Sequence, residues 1–153
     1  MRLAASGFFR SDHLIAGDGD GLPRPSDTWI TLAALGRETV TIRLGSLMTS
    51  ATFRHPSLLA APVAQVDQMS RGQVELGLGA GWWAREHAAI GIELPEIRVR
   101  FDRFAQQLEI LHGLWSTPVG DTSFRLPGIR GDHIGVSRAL VAGRGIASDG
   151  GPC

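Results

Sequence analysis

Val74-Glu75-Leu76-Gly77-Leu78-Gly79-Ala80-Gly81-Trp82-Trp83 is an apolar run that ends in small residues and opens into a helix-like stretch. The same grammar occurs twice upstream. Phe8-Phe9-Arg10-Ser11-Asp12-His13 is one case, and Ile42-Arg43-Leu44-Gly45-Ser46-Leu47-Met48-Thr49-Ser50 is the other. Strand starts near Gly7, Thr41 and Gln73 lie roughly 32 to 35 residues apart, the size of one strand–helix unit. Right-handed units of this kind build parallel α/β sheets, whose chemistry gathers at the C-terminal strand ends. The three run ends therefore nominate one shared site.

Working outward, strands are expected over Gly7–Ser11, Thr41–Thr49 and Gln73–Leu78. Ser26 or Asp27 caps a helix whose apolar side is Trp29, Leu32, Ala33 and Gly36. Pro56 suits the first turn of a second helix, with Leu58, Leu59, Val63, Val66 and Met69 as its buried stripe. Pro62 is expected to kink that helix, and Gly72 to stop it. A short helix runs from about Trp82 to Ala89, and a loop with Pro95 follows. From Arg98 onward, Phe101, Phe104, Leu108, Leu111 and Trp115 recur at helical spacing and read as core. Gly17 to Pro23 reads as an open loop. After about Arg125 glycine rises and the periodicity fades, with only a weak element over Ile134–Ala142.

The 153 residues suffice for one domain with a core. A net charge of zero gives no electrostatic footprint for nucleic acid or an anionic membrane. No apolar run approaches the ~20 residues of a membrane span. The only cysteine is Cys153, which points to a reducing cytoplasm and offers no internal disulfide. The five histidines show no metal-ligand spacing, and Glu86-His87 does not complete H-E-x-x-H, so no metal is expected.

Three segments resemble the luciferase-like monooxygenase superfamily, in particular its deazaflavin-dependent branch. They are Gly7–Leu14, Ile42–Pro56 and Gln65–Gly91, and the helix from Arg100 through Trp115 is similar to the family's segment after its fourth strand. The resemblance implies a partial (β/α)8 TIM barrel over residues 7–124, about the second to fourth βα units, with an irregular, non-familial tail over 125–153. A closed barrel needs about 250 residues. The expectation is therefore a truncated or frameshifted member whose full-length parent is a homodimer.

The family transfers hydride, or activates oxygen, with coenzyme F420 or FMN at the barrel mouth, acting on a small-molecule substrate. On that resemblance His13 lies near the reactive face of the ring as the catalytic proton relay, with Asp12 as an orienting, cofactor-binding residue. From the local sequence alone, Asp12-His13 reads as a turn, with Asp12 capping and His13 on the surface. The resemblance also implies a bulge at Leu47–Ser50, often with a non-prolyl cis peptide, where Thr49 and Ser50 donate to ring oxygens. An ordinary strand end is the alternative. Gly79, Ala80 and Gly81 permit close backbone approach to a ring or phosphate.

Two competing readings stand beside this one. With Ala84, the glycines fit G-x-G-x-x-A, the weak form of an NAD(P)-binding Rossmann fingerprint. Against it, Trp82 and Trp83 crowd a pyrophosphate, and Asp102 falls inside a helix pattern rather than at a strand end. The other is a non-catalytic fragment, inactive because part of the site is missing.

Overall fold

The computed structural model describes residues 6–17, 26–118 and 121. Most of the expected Gly17–Pro23 loop, and the tail over 125–153 with its weak element, lie outside these residues. The elements are β1 (Gly7–Arg10), α1 (Thr28–Glu38), β2 (Arg43–Ser50), α2 (Pro56–Ser70), β3 (Val74–Gly79), α3 (Ala84–Ile90) and α4 (Ile97–Ser116). The strands form one parallel sheet in the order β1-β2-β3, as the unit spacing requires. Gly7 stands opposite Arg43, and Leu44 opposite Val74.

One face of the sheet is covered by helices. Trp29 and Leu32 from α1, Leu44 from β2, and Leu59, Ala60, Val63 and Val66 from α2 form its core, closed by Leu111 of α4. On the other face the Phe9 ring lies over Gly45, where an added Cβ would come within 2.6 Å of the ring. Arg43 and Glu75 pair there at 2.7 Å, near the N-terminal end of the strands.

The phase of β2 decides which side chains reach that second face. Between the pairs Ser46–Leu76 and Thr49–Leu78, the two residues Leu47 and Met48 oppose the single residue Gly77. This is a β-bulge, and the Leu47–Met48 peptide within it is cis. Leu47 and Met48 are both exposed. The extra residue shifts the alternation, so that Thr49 turns into the core and Ser50 turns outward.

Several helical expectations need correction. Leu58 is 70% exposed, because the face of α2 toward the core is Leu59, Val63, Val66 and Ser70. Met69 is only half-buried. Pro62 lies inside α2, as expected, and the helix continues through it to Ser70. The bond that Pro62 forgoes would have gone to the carbonyl of exposed Leu58, where water can satisfy it. The left-handed stop comes one residue early, at Arg71 (φ 61°), and Gly72 (φ 84°) donates back to the Asp67 carbonyl at 2.9 Å. In α4 the buried residues are Gln107, Ile110 and Leu111, with Leu114 and Trp115 packed against the core. Phe101 and Leu108 are exposed and Phe104 is half-buried. The α4 face that meets α2 is thus rotated from the Phe101–Phe104–Leu108 line.

Candidate active site at the strand ends

All three strands are parallel, so their C-terminal loops rise from the same edge of the sheet. After β1 the chain passes through Ser11 to Asp12 and His13. Asp12 is buried, and its Oδ1 accepts from Arg54 Nη2 at 3.3 Å. Its other oxygen, Oδ2, is buried with no hydrogen-bond partner. Arg54 also donates to Asp27 Oδ2 at 2.8 Å, while Asp27 Oδ1 caps α1 at the Ile30 N–H, 3.0 Å away. Burial opposes the charge on Asp27. The Ile30 N–H and the Arg54 guanidinium outweigh it and hold the carboxyl below its ordinary value.

His13 is partly exposed, and its Nδ1 lies 2.9 Å from Glu86 Oε2. Glu86 is 1% exposed, and its Oε1 accepts from the backbone N–H groups of Leu14 and Ile15. The rings of Trp83 and Trp82 stand perpendicular to the imidazole, with centroids 5.2 and 6.2 Å away, and stack on each other at 5.8 Å. The sequence reading weighed Glu86 only against a metal motif. Its place just inside the helix that follows the third strand, at the same edge of the sheet as His13, was the signal available.

The second loop carries a chain of hydrogen bonds. Ser50 Oγ lies 2.7 Å from Thr52 Oγ1, which lies 2.6 Å from His87 Nε2. His87 Nδ1 lies 2.8 Å from the Trp83 carbonyl. A carbonyl only accepts, so Nδ1 carries a hydrogen. Thr49 is 0% exposed, and its hydroxyl accepts from Trp29 Nε1 at 3.3 Å. Of the pair Thr49 and Ser50, the bulge therefore leaves Ser50 on the open face.

The glycines after β3 make room for protein as well as backbone freedom. Gly81 has φ 81°, and a Cβ there would lie 2.8 Å from both Ser50 Oγ and Thr52 Oγ1. At Gly79 a Cβ would meet the Met48 methyl at 3.0 Å. Ala80 lies between them, and Arg100 of α4 donates to the Gly81 carbonyl. The structure thus brings Asp12 and His13, Ser50, and the Gly79–Gly81 run to one edge, with Leu47, Met48 and Trp82 as exposed apolar surface.

A family model described as luciferase-like monooxygenase matches residues 6–134. The chain belongs to that family. The match extends past 125, where the tail was expected to lose its likeness. An F420-dependent glucose-6-phosphate dehydrogenase of Microbacterium testaceum is 36% identical over 110 residues, which are 71% of this chain and 32% of that protein. An F420-dependent hydroxymycolic acid dehydrogenase of Mycobacterium tuberculosis is 35% identical over 89 residues, 58% of this chain and 24% of that protein. Among solved structures, the monooxygenase RslO1 of Streptomyces bottropensis has a TM-score of 0.61 at 26% identity, covering 73% of this chain and 32% of that one. An F420-dependent secondary alcohol dehydrogenase, solved with an F420-acetone adduct, has a TM-score of 0.65 at 24% identity, covering 73% and 34%.

The chain spans about a third of the length of the first curated relatives it matches. Its fold is accordingly a partial (β/α)8 barrel. Among the described residues no helix is long and apolar enough to cross a membrane.

Proposed function

We propose that this chain carries part of the active site of an F420- or flavin-dependent oxidoreductase that passes hydride between its cofactor and a small-molecule substrate. The observation that carries the reading is His13 at the strand ends, partly open and anchored from behind by a buried carboxylate. F420 is favoured over FMN because the curated relatives at 30–36% identity are F420-dependent enzymes. Bound there, the cofactor supplies a ring atom that accepts or returns hydride.

The residues present suit such a ring. Asp12 Oδ2 is an acceptor without a partner, Leu47 and Met48 offer apolar surface, and Ser50 lies on the open face. Asp12, Ser50 and the Gly79-Ala80-Gly81 backbone would hold the cofactor, with Thr49 bracing the strand beneath Ser50. When a carbinol is oxidised, its C–H leaves as hydride and its O–H proton needs a base. His13 is that base, since imidazole exchanges protons near neutral pH. The same reading makes the protein cytoplasmic, with no nucleic-acid or membrane partner, and homodimeric at full length.

The test replaces the corresponding segment of the Microbacterium testaceum relative with residues 6–118 of this chain. F420 binding by the chimera, followed by fluorescence, supports the proposal. In that chimera His13→Ala should lower turnover about 10²-fold or more with little change in F420 affinity. Binding of NAD(P) in place of F420 and FMN would refute the reading, and equal loss of turnover and affinity would make His13 a binding residue.

A further inference from the structure

We infer that Glu86 is a positioning residue that locks the neutral imidazole of His13 in its Nδ1–H form, leaving Nε2 bare as the proton-accepting atom. The functional meaning rests on the oxidoreductase reading; the geometry does not. A carboxylate has only lone pairs to offer. Oε1 of Glu86 is committed to two backbone donors, the N–H groups of Leu14 and Ile15. Oε2 faces His13 Nδ1 at 2.9 Å. Three donors around one carboxylate satisfy it in its ionised form, and the ring nitrogen that faces it must then carry the hydrogen.

Free neutral histidine in water prefers the opposite form, with its hydrogen on Nε2, so the contact selects the less common tautomer. Ring orientation is fixed as well. The imidazole stands perpendicular to Trp83 and Trp82, at 90° and 89°. Turning it over would take Nδ1 away from the carboxylate and leave a buried charge short of a partner, which is costly. Among the described residues no group bonds Nε2. Proton transfer from a substrate hydroxyl then forms the Nε2–H bond as the substrate O–H bond breaks, and Glu86 faces the resulting imidazolium. Asp12, the neighbouring carboxylate, is engaged by Arg54 instead.

The test is nitrogen-15 NMR of the histidine rings of this chain, without cofactor, at a pH where the imidazoles are neutral. The His13 signals are assigned by their loss in His13→Gln. The expected wild-type pattern is the Nδ1–H tautomer, reversed to a majority of Nε2–H in Glu86→Ala. A wild-type ring in the Nε2–H form would mean that a neutral Glu86 donates to Nδ1, and would overturn the inference without recourse to any variant. An unchanged tautomer in a folded Glu86→Ala would overturn it too. A Glu86 that only held α3 in place would disturb nearby amide signals and leave the ring preference alone. Failure of the chimera to bind F420, with the tautomer as expected, would remove the oxidoreductase reading and leave the positioning intact.

Discussion

Replacing Gly81 with alanine separates two costs that most glycine substitutions confuse. Gly81 has φ 81°, where an L side chain costs roughly 1–2 kcal/mol. Alanine recovers part of that, about 0.4–1 kcal/mol, by restricting the unfolded chain. The new Cβ would also lie 2.8 Å from Ser50 Oγ and from Thr52 Oγ1, closer than real Cβ contacts come. Those hydroxyls are short, bonded to each other, and tied through Thr52 to buried His87, so they cannot swing aside freely. Forcing a methyl into such a site typically costs about 1–3 kcal/mol.

Gly72 and Gly91 are the internal controls. They have φ 84° and 72°, with nothing within 4 Å of an added Cβ. Gly72→Ala and Gly91→Ala should each lose about 1 kcal/mol or less, and Gly81→Ala about 2–4 kcal/mol. Urea unfolding followed by circular dichroism reads all three as midpoint shifts at a constant slope. A Gly81→Ala midpoint no lower than that of Gly72→Ala would show that the Ser50–Thr52 pair does not fill this space, and the account of the second loop would fall.

Adjacent leucines in α2 give a second contrast. Leu59→Ala should cost about 2–5 kcal/mol, while Leu58→Ala, at the exposed neighbour, should stay within about 0.5 kcal/mol in the same urea assay. A third expectation concerns pH. Burial lowers the His55 imidazole below its ordinary 6.5, and its Nδ1 accepts the Ser57 N–H that starts α2. The unfolded chain therefore binds this proton first as pH falls. The contribution of His55 is fully present above about pH 6.5 and is lost as pH drops through the lower folded value. Urea midpoints across that range should decline in the native chain and flatten in His55→Ser; equal slopes would contradict the assignment.

How much of this was legible in the sequence depended on whether a local signal existed. Strand order and direction followed from the spacing of three apolar runs, since units of about 30 residues leave room for one helical crossover. Helical spacing put Phe101, Phe104, Leu108, Leu111 and Trp115 on one line, of which Leu111 and Trp115 do pack into the core. It could not tell that Gln107 and Ile110, rather than Phe101 and Leu108, complete the buried face, because periodicity does not name a partner. At Thr49 and Ser50, simple alternation fails where Leu47 and Met48 together oppose Gly77; the family resemblance alone points to the bulge and its cis peptide there. His13 was marked by its place at a strand end. Glu86 acts across 73 residues, with no shared motif.

Glu86 and His87 are consecutive, yet they fasten different loops: one reaches the turn after β1, the other the turn after β2. Successive side chains on a helix diverge by about 100°, so the two ties pull in different directions. A free helix of seven residues would not persist in water. This one is held from both sides, like a toggle through two buttonholes. Fraying of α3 would loosen both strand ends together, which makes this helix, the shortest among the described residues, the common fastening of the two loops.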